Sequence, residues 1–491
     1  MTDALRLACI AAVAVPALAG LVAPLLGTPR AVQRLLVAAG AVGGAVGTGA
    51  GVWAMARGGQ VVDGGWYRVD APAGLFMLVI AVVGGVSAML SPPYLARSVR
   101  SGSGALGSHR FYACAYLVFW AVLAAIPCIG NLGLAWLLLE GTTAASALLV
   151  AFTGSRQALE AGWKYLVLTS AGLSVALLGV VLLVVSGATR GDGLASLDFV
   201  HLGEGGSADI GLTRVALVLI LVGVAAKAGW APVHNWLPDA HSEAPPPVSA
   251  LLSAATLPTV ALVAWRVVDA LAPVAGVGTV RTLMVGLGLA SLAVAVPFLW
   301  RPMAWKRFLA YSSLEHMGVI AIGIGMQHRW AAAGVCIHVA AHAAAKALGF
   351  WTATPLLRYQ PDAGRRSPRG LRNLDPTLAA GVVVSAGTLS GLPPSPLFAS
   401  EMLILYSALV VGLPWVAVLM AVLLALGFVG IINVLVEAVP GRSVGRRPAV
   451  NAMLPLRAAC WAVGAALAAT ALLAFAAPHS ALATALLAGA A

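Results

Sequence analysis

Charge is scarce in this chain of 491 residues: Asp, Glu, Lys and Arg together make up 9%. Soluble domains carry about 25%, so a soluble globular fold is excluded. Lysine is scarcer still. Of 29 basic residues only Lys164, Lys227, Lys306 and Lys346 are Lys, and the rest are Arg. A composition rich in Ala, Gly and Val accounts for the Arg excess, but a buried Lys can release its proton where Arg cannot. The placement of the four Lys therefore carries information. Each of the five Cys lies inside an apolar run without paired spacing, which excludes a disulfide framework and a cysteine metal site. No nucleotide fingerprint, P-loop, nucleophile elbow or metal-ligand spacing is present. No cofactor is therefore expected, and any energy source lies outside the chain. The net charge of +12 does not indicate nucleic acid, because the Arg residues fall between apolar runs with no interleaved aromatics. Anionic lipid is the expected surface partner.

Apolar sequence is what remains: 60% of residues are hydrophobic, and mean hydropathy is +0.95. A bilayer core of about 30 Å needs roughly 20 apolar residues per helix. Polar and Gly/Pro-rich breaks divide the chain into fourteen spans: 4–27, 32–56, 72–92, 111–129, 132–153, 162–187, 211–230, 246–270, 280–299, 304–325, 331–357, 377–412, 414–438 and 456–477. The boundary between the fourth and fifth, Ile129–Asn131, is the least marked. Asp3 and Arg6 precede an apolar run too long for a signal peptide, so the first span is expected to be retained. Eighteen basic residues, among them Arg100, Arg156, Lys306, Arg442, Arg446 and Arg447, flank the loops after odd-numbered spans. Only Arg6, Arg57, Arg68, Arg190, Arg214, Arg266, Arg281 and Arg329 flank the others. Positive charge marks the cytoplasmic side, so both termini are expected outside the plasma membrane. The longest polar stretch, Gly191–Asp209 with Asp192, Asp198, Glu204 and Asp209, falls on the outer side. Lys306 reads as an ordinary inner-loop charge.

An ionisable residue within a span costs about 2.5–3.5 kcal/mol on insertion scales and by default marks function. Glu140, Lys227, Lys346 and Glu401 lie deep within apolar runs, while Lys164 and Glu315 lie nearer span starts, where interfacial anchoring is the competing reading. His338, His342 and Lys346 recur every four residues and share one helix face over about 12 Å. A lone buried His is more often a satisfied core residue. Three stacked titratable groups point instead to a proton relay, and no motif supplies partners for a metal or haem site.

The seventh span (LVGVAAKAGWAPVHNWLPDAHSEAPPP) and the twelfth (VVVSAGTLSGLPPSPLFASEM) are interrupted by Pro and Gly beside their charges. Such breaks leave backbone that only protein or a wet cavity can satisfy, and paired broken helices point to a transport path. Lys227 follows Glu140 by 87 residues and Glu401 follows Glu315 by 86, with Lys164 and His338 at 24 and 23 from those starts. The two copies are five helices apart, an odd number, so they run in opposite senses. The expected fold is all-α and polytopic, with two inverted five-helix repeats and helices 7 and 12 broken. Its parts are 1–109 (three helices), 110–270 (helices 4–8), 271–440 (helices 9–13) and 441–491 (helix 14).

The segment HNWLPDAHSEAPPPVSALLSA (234–254) resembles the antiporter-like membrane subunits of respiratory complex I, Mrp cation/proton antiporters and membrane-bound hydrogenases. LLLEGTTAASALLV, WKYLVLTSAG, KRFLAYSSLEHMG and the Pro-interrupted twelfth span agree in order, so the resemblance covers roughly 110–440. The Glu315–His316 dipeptide looks most like hydrogenase-4 and formate hydrogenlyase subunits. Pro258 departs from relatives that have a Lys in the eighth span. The resemblance implies a proton path through Glu140, Lys164, Lys227, His234, His241, Glu315, His316, His338, His342, Lys346 and Glu401. It places Lys164 beside Glu140 and Lys227. It also implies a non-catalytic, proton-translocating subunit of a redox-driven respiratory or hydrogenase complex, partnered by other membrane subunits. The alternatives are cation/proton antiport with Na⁺, an inorganic-carbon uptake subunit, a structural anchor, and a quinone-lining role for which the aromatics (7%) show no grouping.

Overall fold

Lipid offers the backbone no hydrogen bonds, so a chain this apolar crosses it as helix or as closed barrel. The computed structural model, which describes residues 2–57, 62–63, 66–98, 105–190, 193–205, 208–441 and 454–476, is helical. Arg100, Asp192, Arg442, Arg446 and Arg447, used above for sidedness, lie outside the described residues. In chain order the helices are α1 (Thr2–Val22), α2 (Pro29–Ala56), α3 (Ala71–Ser98), α4 (Ala105–Ala125), α5 (Leu132–Val150) and α6 (Arg156–Val185). There follow α7 (Ile210–Ala228), α8 (Leu237–Glu243), α9 (Pro246–Leu251), α10 (Leu257–Ala275), α11 (Val277–Leu299) and α12 (Trp305–Met326). The last are α13 (Arg329–Tyr359), α14 (Leu371–Leu374), α15 (Pro376–Leu389), α16 (Pro396–Val410), α17 (Pro414–Ala438) and α18 (Leu454–Ala476). A short antiparallel pair, β1 (Val62–Asp63) and β2 (Arg68–Val69), precedes α3. Among the described residues twelve helices are long and apolar enough to cross a membrane; α15, α16 and Leu456–Ala471 of α18 are shorter apolar helices.

Helix starts follow local chemistry. Thr28, Asn131, Ser155, Asp209, Asp375 and Ser395 each accept from the backbone N–H three residues on, satisfying an amide that the first turn would orphan. Asn131 thereby separates α4 from α5 at the boundary least marked in the sequence.

Loops with different expected sidedness gather on opposite faces. On one, Gly130 N donates to Trp66 O (2.9 Å), Phe199 N to Gly130 O (2.8 Å) and Arg266 to Ile129 O (2.9 Å). On the other, Asp239 meets Arg307 at 3.2 Å and Lys164 at 3.5 Å. On the first face Arg266 and Arg68 also clasp Asp70. Burial raises the Asp70 carboxyl, but Arg266, the Ala73 amide and Arg68 outweigh it and hold the group below its ordinary 3.8. A lowered folded-state value means the clasp is complete above that pH and is lost as pH falls through the lower folded value. Asp70→Asn is accordingly expected to lower thermal stability at pH 7 by about 1–3 kcal/mol, and the difference should shrink in acid. Thermal melts in detergent at pH 7 and pH 3 check this.

The outermost helices show lipid-facing rows, such as Val418, Val422, Val429 and Val436 on α17. The most apolar stretches of Pro246–Ala275 and Trp305–Met326 are wholly inside the bundle. Helices approach closely where glycines face each other: a Cβ on Gly288 of α11 would stand 2.6 Å from Gly318 O of α12. Small residues drive such contacts where lipid removes the hydrophobic term.

Both expected breaks are present, between α7 and α8 and between α15 and α16. The first is sewn into the protein. Trp230 Nε1 donates to Met317 O, Trp236 Nε1 to Ala226 O, and Ala231 N to Ser291 Oγ (2.7, 2.7 and 2.9 Å). The first of these bonds ties the break to α12, and the last two satisfy backbone at the break that lipid would leave bare. Lys306 does the same for the end of α8, donating to Ser242 O (2.5 Å) and Ala244 O (2.6 Å). It is 7% exposed, which corrects its reading as an ordinary loop charge: the second residue of α12 faces the bundle, where the α8 carbonyls need a donor. Lys306→Met is expected to cost about 2–4 kcal/mol through loss of two charge-assisted bonds, measured as a lower melting temperature in detergent. Pro258 also has a local consequence. It cannot donate to the preceding turn, and Leu252–Thr256 forms a π-helical turn between α9 and α10. Thr259 Oγ1 donates to Ala255 O at 2.7 Å.

Candidate functional site

In the first half the groups converge on Lys227, one residue before α7 ends. It is 1% exposed, and its Nζ donates to Thr143 Oγ1 of α5 (2.7 Å) and to Tyr165 OH of α6 (2.6 Å). Tyr165 OH also shares a hydrogen bond with Ser146 Oγ (2.8 Å). Glu140, one turn before Thr143, accepts from Ser170 Oγ, and its Oε2 is buried without a hydrogen-bond partner. It makes no direct ion pair with Lys227 among the described residues. Two hydroxyls, Thr143 and Tyr165, hold the ammonium instead.

Lys164 does not join this group. It is 45% exposed and pairs with Glu160 (2.6 Å) and Asp239 (3.5 Å), so the expected position beside Glu140 and Lys227 is corrected. Adjacent residues on a helix point about 100° apart. With Tyr165 turned into the bundle, Lys164 is turned out. His234 lies half-buried in the break before α8, hydrogen-bonded to none of the other candidates. His241 on α8 is fully buried, with both ring nitrogens unpartnered. Its ring stands between Trp236 (6.4 Å, centroid to centroid) and Phe350 (5.5 Å).

The second half forms a tighter cluster. His338, His342 and Lys346 line one buried face of α13, and His316 faces the two His rings from α12, with Glu315 buried beside it. Lys346 Nζ donates to Leu309 O at 2.6 Å. His338 is a bridge: its Nε2 meets His316 Nδ1 at 3.1 Å and its Nδ1 meets Ser400 Oγ at 2.8 Å. Glu401 follows Ser400 on α16, 6% exposed, its carboxylate against Gly391 in the break. Gly391 has φ +69°, a conformation that suits glycine, and a Cβ there would stand 2.7 Å from Glu401 Oε2. The Glu315 carboxylate likewise abuts Gly427 of α17. His316 Nε2, Glu315 Oε2 and both nitrogens of His342 are buried without a properly placed protein partner. Such atoms are costly unless water bridges them.

Donor atoms of His316, His338 and Glu401 lie within 4.8 Å of one another, so these three could together ligate a cation. A ligand at His338 would displace one of its two hydrogen bonds. The arrangement suits proton exchange directly, because the two tautomers of His338 reverse which neighbour it donates to.

Reasoning from sequence missed Tyr165, Thr143, Ser146, Ser170 and Ser400. Hydroxyls are common in membrane helices and do not stand out in an apolar run. Two of these left a signal, Tyr165 as the neighbour of Lys164 and Ser400 as the neighbour of Glu401 in the twelfth span.

Comparison with known proteins places the chain in a family. Residues 129–427 match the transmembrane family of NADH:quinone oxidoreductase and Mrp antiporter proteins. A hydrogenase-4 component F homolog of Methylacidiphilum infernorum is 31% identical over 347 residues, 70% of this chain and 73% of that protein. NADH-quinone oxidoreductase subunit N of Halorhodospira halophila is 31% identical over 360 residues, 72% of this chain and 71% of that protein. Among solved structures, a chain of Thermus thermophilus respiratory complex I has a TM-score of 0.73 at 26% identity, over 94% of this chain and 97% of that one. A chain of the membrane-bound sulfane sulfur reductase, an archaeal respiratory complex, has the same fold, with a TM-score of 0.81 over 98% of this chain and 97% of that one at 22% identity. The chain belongs to the NADH:quinone oxidoreductase/Mrp antiporter transmembrane family. It is an antiporter-like, multi-pass membrane subunit, as its 234–254 segment implies, and the hydrogenase-4 relative agrees with the Glu315–His316 reading.

Proposed function

We propose that this chain carries protons across the plasma membrane as a subunit of a redox-driven complex, of the respiratory or hydrogenase kind, whose other subunits do the electron chemistry. One observation carries the reading: buried ionisable groups run from α5 to α16 through the bundle interior, with polar atoms left for water to bridge. The path is Glu140, Lys227 with Tyr165, His241, Lys346, His342, the His316–His338 pair and Glu401. Glu315 lies beside this path, buried against Gly427 of α17. Lys164 and His234 sit at the inner mouth, where Asp239 and Glu160 hold Lys164 as an entry charge.

A Lys held by hydroxyls, with a carboxylate near but not touching, is poised to switch. Moving Glu140 toward it favours the charged form, and moving it away favours release. A partner's conformational change would set that distance. With the pair α15–α16 as one crossing and α18 as the last, the described residues cross fourteen times, an even number that puts both ends on the outer side. Helices 4–8 and 9–13 form the inverted repeat, with one break in each.

The test is flux in proteoliposomes under an imposed potential, followed with an internal pH dye and with radioactive sodium. Proton flux without sodium flux is expected, and Glu401→Gln should abolish it. Sodium flux coupled to proton counterflow would replace this reading with cation/proton antiport. Normal flux in Glu401→Gln would leave the charges as structural anchors.

A further inference from the structure

On the face that carries Trp66, Gly130 and Phe199, a cavity of about 430 Å³ opens between β2, the end of α10 and the α12–α13 turn. Its wall is Arg68, Trp265, Asp269, Gln327, His328 and Arg329, and its floor includes Gly323 and Val335. The Asp269 carboxylate is accessible and accepts from Gln327 Nε2 at 3.0 Å. A second cavity of about 220 Å³ shares Arg68, Trp265 and Asp269 with the first and adds Arg266 and Asp70.

The floor is thin. Val335 stands three residues, ~4.5 Å along the axis, before His338 on α13. Ile404 stands one turn after Ser400 on α16. Gly323 of α12 closes the gap between them: a Cβ there would lie 2.5 Å from Val335 Cγ2 and 3.2 Å from Ile404 Cδ1. One apolar layer therefore separates the cavity from the His338–Ser400 hydrogen bond.

We propose that this cavity is the outer mouth of the path, that Val335, Ile404 and Gly323 form its gate, and that its arginines make it selective for protons over metal cations. The proposal rests on the proton-carrying role assigned to the His338–Glu401 cluster. An apolar constriction gates by excluding water, and these two side chains exclude it directly above the last relay groups. Asp269 is the first acceptor outside. The charges lining both cavities are Arg68, Arg266 and Arg329 against Asp70 and Asp269, a balance of three to two. Asp70 is already clasped by Arg266 and Arg68. A sodium ion here meets net positive charge and one carboxylate not clasped by arginine, itself accepting from Gln327, too few oxygens to replace its water. A proton hopping between water and Asp269 needs no cage.

The experiment uses the full chain in proteoliposomes, with proton and sodium flux read in parallel. Val335→Ser and Ile404→Ser wet the layer and are expected to raise passive proton leak at least fivefold. Asp269→Asn is expected to lower driven proton flux at least fivefold, with Asp269→Glu restoring it and reporting that the fold survives. Arg329→Glu is expected to admit radioactive sodium that the unaltered chain excludes. Unchanged leak and unchanged flux in the Val335, Ile404 and Asp269 variants, while Glu401→Gln abolishes transport, overturn this mouth and leave the relay standing. Sodium passage in the unaltered chain overturns the selectivity. Full transport in Glu401→Gln removes the relay reading itself.

Discussion

Replacing Lys227 by Met is expected to reduce driven proton flux by about 10²-fold or more, the range seen when a positioned proton-transfer group is removed. Met is close to Lys in length and removes only the titrating end, so α7 keeps its packing against α6. The hydroxyls left behind already have partners, because Tyr165 OH retains Ser146 Oγ at 2.8 Å and Thr143 Oγ1 donates to Leu139 O at 3.2 Å. Assembly and melting temperature should therefore change little while transport collapses. Lys227→Arg is the sharper variant. It keeps the charge and the donors but cannot release a proton, so transport should stay lost. A structural anchor would be rescued by Arg. Restored flux with Arg at this position would sink the relay role of Lys227.

The second large effect is expected at His338. His338→Phe preserves an aromatic ring on α13 and removes both nitrogens, which severs His316 from Ser400 and Glu401. Proton flux should fall by a similar factor of about 10². His316 Nδ1 loses its bonded partner, with a stability cost of about 1–3 kcal/mol. Ser400 suffers less, since its Oγ also donates to Leu397 O at 2.7 Å. His342→Phe gives the internal comparison. Its ring nitrogens make no well-placed protein bond, so it should lose transport with less loss of stability. Parallel flux and melting measurements separate the two, and equal transport in His338→Phe and the unaltered chain would remove His338 from the path.

The scarcity of charge made much of this legible. When only four Lys occur in 491 residues, a Lys inside an apolar run stands out, and Lys227 and Lys346 proved buried as their surroundings require. The breaks were legible because Pro and Gly act locally. Caps at Asn131, Asp209 and Ser395 were written in the same local chemistry, so helix starts fall close to the polar residues that divide the spans. Lys306 was misread because it sits near a span end, where hydropathy does not distinguish a side chain facing out from one facing in, and it turned to the α8 carbonyls. Lys164 was misplaced by the resemblance; its pairs with Glu160 and Asp239 at the surface fit the interfacial reading that its position near a span start had offered.

What the sequence by itself determined is that the chain is a polytopic bundle of apolar helices, where its two breaks fall, and the short roster of ionisable groups that a bilayer does not tolerate without a reason. These depend on hydropathy and backbone hydrogen bonding, which act over a few residues. Only the tertiary structure decided which groups meet. Tyr165 holds Lys227 from 62 positions away, Ser400 holds His338 from 62, and Trp230 reaches Met317 across 87. A hydrogen bond is set by a few tenths of an ångström and by direction. The rotation of each helix about its axis, fixed by packing at contacts such as Gly288 on Gly318, supplies that precision.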